Sequence, residues 1–103
     1  MKKPTKHKDI FGWFNYEGTY DMIFESLKEG GTFVEVGVFE GKSLCYMGEL
    51  AMLNNKSIVL HGVDIFAGVD HWDNKYGADK PGLGLYESAK ANLAQAGVNA
   101  HLH

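Results

Sequence analysis

The chain has 103 residues, 45% hydrophobic and 22% charged, with a net charge of -3 and a pI near 5.9. That length permits one domain with a modest core, and the composition excludes a disordered chain. The acidic balance argues against a nucleic-acid surface, and no apolar run approaches the ~20 residues of a membrane span.

Residues 1 to 9 read as a polar lead-in, with Lys2, Lys3, Lys6 and Lys8 forming a solvated, frayed terminus rather than the alternative, a binding arm. No apolar stretch follows them, so the usual form of a signal peptide is not expected. The single cysteine, Cys45, cannot pair within the chain, and a reducing, cytoplasmic setting fits best. Residues 10 to 14 are apolar and aromatic, broken by Gly12. From 16 to 28, Tyr20, Ile23, Phe24 and Leu27 recur at helical spacing, and Gly30-Gly31 ends the run. Residues 32 to 36 form a short β-branched and aromatic run, which suits a buried parallel strand.

A glycine loop follows, and Ser43 is expected to cap a helix over 43 to 53. Residues 54 to 56 make a turn, 57 to 63 a second strand, and 66 to 84 a long glycine-rich loop. Leu85, Ala89, Leu93 and Ala96 place a helix over 85 to 96, closed by Gly97, and 98 to 102 a third strand. The whole is one domain: a lead-in over 1 to 15, then β-α-β units over 16 to 103. Alternating strands and helices predict an α/β fold, the first three strands of a doubly wound, Rossmann-like parallel sheet in order 3-2-1.

The chemistry concentrates after the first strand, in Glu35-x-Gly37-x-x-x-Gly41-x-Ser43. Gly37 lets the chain turn off the strand, and Gly41 lets backbone approach a ligand. The next helix then turns its N-terminus toward a polar group. Glu35 can accept from an ammonium group. Asp64 ends the second strand, 23 residues past Gly41 (64 minus 41). That is close to the ~20-residue spacing at which a carboxylate reaches ribose hydroxyls. Together these features point to a nucleotide-like ligand. The dinucleotide fingerprint Gly-x-Gly-x-x-Gly is missing its second and third glycines, because Phe39 and Leu44 stand there.

The pattern resembles motif I of class I S-adenosylmethionine-dependent methyltransferases, in the form Val-Glu-Val-Gly-x-x-x-Gly-x-Ser with Val-Asp after the second strand. The resemblance spans roughly residues 14 to 103. It implies that Glu35, Gly37, Val38, Phe39 and Gly41 hold the methionine part of the cofactor S-adenosyl-L-methionine, with Ser43 beside them. It also implies that Asp64 binds the ribose hydroxyls and that Ile65 flanks the adenine. Trp13, Phe14 and Tyr16 either close over the cofactor or pack the first helix on the sheet. The acceptor implied is a small molecule or a glycan-like compound.

The family's sheet has seven strands, and its adenine-binding acid and catalytic residues lie past the third. The chain is therefore expected to be the cofactor half of a longer enzyme, with catalytic residues unassigned and its open first-strand edge prone to self-association. The alternatives are a fragment of an NAD(P)-binding oxidoreductase and a non-catalytic remnant serving as an interaction module. Five histidines show no zinc spacing, and no metal is expected. His101 and His103 share one face of the third strand, with His61 on its neighbour. The polar, aromatic stretch over 70 to 76 reads as a surface loop, a lid or a substrate wall. Glu40 and Lys42 read as solvated charges, and Cys45 as a small core residue.

Overall fold

The computed structural model describes residues 1–66 and 83–103. A short 3-10 turn, Lys6–Asp9, leads into α1 (Glu17–Ser26), β1 (Thr32–Val36), α2 (Lys42–Leu53), β2 (Val59–Val63), α3 (Leu83–Gln95) and β3 (His101–Leu102). The strands form one parallel sheet with neighbours in the order β1-β2-β3. The expected α/β architecture is present.

Alternation along the strands sets the two faces. In β1, Phe33 and Glu35 point inward while Thr32, Val34 and Val36 point out. Register carries this across the sheet: Phe33 pairs with Leu60, Glu35 with Gly62, and Val34 with His61. On the inner face lies α2, whose Leu44, Cys45, Met47 and Leu50 are completely buried. A Cβ on Gly62 would sit 2.8 Å from Val38 Cγ2 and 2.9 Å from Leu44 Cδ2. Only glycine lets the loop and helix settle this close to β2. Tyr20 and Phe24 of α1 and Ala89 and Leu93 of α3 complete the core.

Several boundaries differ from expectation, three of them for a clear local reason. α1 stops at Ser26, and Lys56 Nζ closes its end by donating to the carbonyls of Phe24 and Leu27 at 2.8 Å each. The pairing of β2 starts later than 57 because Ser57 N donates to the Glu29 side chain. β3 is shorter because Val98 belongs to the end of α3. Its N–H reaches back to Leu93 O at 2.9 Å, around Gly97 at φ 76°, the closing bond of a Schellman turn.

The frayed terminus is contradicted. Pro4, His7 and Ile10 are buried, and Glu49 on α2 accepts the N–H groups of Thr5 and Lys6 at 2.8 and 2.9 Å. Lys3 pairs with Asp21, and Lys6 Nζ donates to Ala96 O. The His7 ring packs edge-on against Phe14 and Tyr46, and burial lowers its pKa. The first ten residues are thus strapped across α2.

On the outer face the described residues place no helix. Val36 is 81% exposed and Ile65 87%, with Val34, Val59 and Val63 also exposed. Parallel sheets normally bury both faces. Among the described residues, β1 also has one free edge. No described helix is long and apolar enough to cross a membrane.

Candidate cofactor-binding site

The site assembles where β1 ends. Glu35 is only 6% exposed. Its Oε2 accepts from the Tyr20 hydroxyl on α1 and from Ser43 Oγ on α2, the latter at 2.8 Å. Its Oε1 is buried and has no hydrogen-bond partner among the described residues. Burial pushes the Glu35 carboxyl above the usual carboxylate range, against the pull of the two hydroxyls, and the charge of Asp64 adds to the rise. Burial and the same contact raise the Tyr20 phenol. An unpaired buried oxygen is costly and calls for a donor.

Ser43 therefore does not cap α2 as expected. Its hydroxyl is committed to Glu35, and the cap position falls to Gly41, without a side-chain bond. Gly41 is left-handed at φ 91°, the conformation that favours glycine there, and it lies against Leu93. Gly37 is left-handed at φ 92° and Phe39 at φ 52°. That conformation is unfavourable by about 1–2 kcal/mol for a residue such as Phe39.

What holds Phe39 there is Asp64. Its Oδ2 accepts the N–H groups of Val38 at 2.7 Å and Phe39 at 2.9 Å, and its Oδ1 accepts Phe66 N–H at 2.9 Å. Burial raises the Asp64 carboxyl, but the backbone N–H groups of Phe39, Phe66, Val38 and Ile65 outweigh it and hold the group below its usual value. Asp64 thus ties the end of β2 to the glycine loop.

Above the loop lies a cavity of about 250 Å³, lined by Gly12, Trp13, Tyr16, Gly37, Val38, Phe39, Lys42 and Ser43. Four expected site residues meet there: Gly37, Val38, Phe39 and Ser43. Glu35 and Asp64 touch it through Ser43 and through the loop backbone. Ile65 is exposed and does not line it. Trp13 and Tyr16 form a wall, with Trp13 5.7 Å from the Phe39 ring. Phe14 is a core residue, packed edge-on against Tyr16 and Tyr20 and tilted against Tyr46.

Neither Glu40 nor Lys42 is a solvated charge. Glu40 is buried, which raises its pKa, and Asn92 Nδ2 donates to both its backbone and side-chain oxygens. Lys42 Nζ donates to Ile10 O at 2.8 Å, fixing the N-terminal strap to the loop. Both act as supports that the sequence pattern did not mark. Cys45 is completely buried, and burial pushes its thiol up to about 11, as an inert core residue requires. The stretch over 70 to 76 lies outside the described residues, as does most of the expected loop over 66 to 84.

The arrangement combines a buried carboxyl with a spare acceptor oxygen, an aromatic wall and a tight backbone turn. No protein-family model matches the chain, and no curated protein does.

Proposed function

We propose that the chain is the S-adenosyl-L-methionine-binding portion of a class I methyltransferase acting on a small-molecule or glycan-like acceptor. The observation that carries this reading is the orphaned, buried Glu35 Oε1 at the foot of the glycine loop. A ligand ammonium is the donor that would satisfy it, and the motif supplies the rest of the cradle. On this reading the sheet is the first half of a Rossmann-like fold, with order 3-2-1 running on from the free edge of β1. Glu35 receives the amino group, Ser43 and the loop surround the methionine part, and Trp13 and Tyr16 exclude water. Asp64 binds the ribose hydroxyls while keeping the loop in place, and Ile65 lies against the adenine. Methyl transfer from a sulfonium needs mainly alignment, and the catalytic residues are not assigned within this chain.

The rival NAD(P)-binding reading suffers from Phe39, whose ring stands where a pyrophosphate approaches in dinucleotide folds. The reading as an interaction module draws support from the exposed valines of the outer face and the free edge of β1. Those features support self-association, which sedimentation at rising concentration would reveal; a monomer throughout would argue against it. Calorimetric titration with S-adenosylhomocysteine and with NADH separates the three. Binding of S-adenosylhomocysteine alone is expected. NADH alone would overturn the proposal, and binding of neither would leave the interaction module.

A further inference from the structure

Three histidines gather on the outer face, away from the cavity. His101 in β3 and His103 just past its end are two residues apart and share a face in extended chain, and His61 pairs in register with His101. The His61 ring lies 5.0 Å from that of His101 and 5.2 Å from that of His103, inclined by 27° and 22°. His61 Nδ1 and His103 Nε2 are 3.0 Å apart. His61 is half-buried and the other two are exposed, so ions in solution reach the group. Nothing in the core or at the cofactor site uses them.

Two imidazole nitrogens 3.0 Å apart span the bite of one metal ion. With metal–nitrogen bonds of ~2.0–2.1 Å, that separation corresponds to an angle of roughly 95° at the metal. A tetrahedral ion would need the nitrogens about 3.4 Å apart. A near-right angle belongs to Ni(II) or Cu(II) in tetragonal surroundings. Among the described residues no three His, Cys, Asp or Glu side chains converge on one ion. Among the described residues the site therefore has two protein ligands.

We infer that His61 and His103 form a two-histidine chelate on the outer sheet face for a tetragonal divalent transition-metal ion, with water completing its coordination. Without metal the two nitrogens share a hydrogen bond. With metal, each ring tilts to aim its lone pair at the ion, and His61 carries its hydrogen on Nε2. His101, packed against the His61 ring, positions it without ligating. Sequence spacing hides this pair, since 42 residues separate its members. Parallel strand register brings them together.

The test is equilibrium dialysis of the chain against nickel chloride and, separately, zinc chloride, with bound metal measured by elemental analysis. One nickel per chain is expected, held more tightly than zinc. H61N and H103N should each weaken nickel binding ~10–100-fold, with circular dichroism unchanged, because both side chains lie at the sheet surface. In the copper-loaded chain, electron paramagnetic resonance should show coupling to two nitrogens, and H103N should remove one. Tighter zinc than nickel, no uptake, or nickel binding indifferent to H103N would overturn the inference.

Discussion

The ends of β1 and β2 each carry one acid, and the two stand in opposite physical states. Glu35 is buried among side chains, is held above its usual pKa, and keeps one oxygen without a partner. Asp64 is half-buried, is held below its usual pKa, and has both oxygens engaged by backbone N–H groups. Neighbouring strand ends and similar side chains thus give different jobs. Asp64 stabilises a strained loop as a fixed anion on backbone donors. Glu35 holds unused accepting capacity at the loop's base, the feature on which the proposed cofactor role rests.

Removing each acid should expose that difference. Glu35→Ala strands the Tyr20 and Ser43 hydroxyls in the core, and a loss of about 3 kcal/mol in unfolding free energy is expected by chemical denaturation. A loss below about 1 kcal/mol would mean that the hydroxyls find water. Asp64→Ala should cost about 1–3 kcal/mol of stability and of cofactor affinity. Its distinctive mark should be faster hydrogen exchange at the amides of Val38, Phe39 and Phe66, read by NMR. Unchanged exchange there would remove Asp64 as the tie.

Titration sharpens the contrast further. Because the folded value of Glu35 lies above 4.5, the folded chain keeps a proton that the unfolded chain sheds first. Its contribution is whole below about 4.5 and is lost as pH rises through the folded value. Glu35→Gln should flatten that decline in stability against pH; an identical slope would deny the raised pKa. The smallest effect is expected at Asn92→Ala, about 1 kcal/mol, from leaving the buried Glu40 carboxyl without its donor.

Much of the frame was legible in the sequence, because strand and helix periods report local burial. Tyr20 and Phe24, and Ala89 and Leu93, face the core as their spacing implies, whereas the strand expected to be buried leaves Val34 and Val36 exposed among the described residues. What escaped rests on partners far along the chain. The N-terminal strap depends on Glu49, 44 residues from Thr5. Its one local signal is Pro4, His7 and Ile10 recurring every third residue, the period of a 3-10 turn. Ser43 looked like a cap because caps are judged locally, whereas a buried carboxylate on β1 claims its hydroxyl. Val98 looked like strand, yet its N–H serves the end of α3. At the site, the glycine loop and both acids were visible as types, but which acid keeps an unpaired oxygen depends on packing.

The central claim concerns the free oxygen of Glu35, and isothermal titration of S-adenosylhomocysteine into the chain and into Glu35→Gln tests it most directly. The substitution preserves size and an acceptor for the two hydroxyls while removing the charge that would receive an ammonium group. Binding by the unsubstituted chain with at least roughly tenfold weaker binding by Glu35→Gln, the loss of ~1.4 kcal/mol, is the expected result. Equal affinities in the two proteins would contradict it.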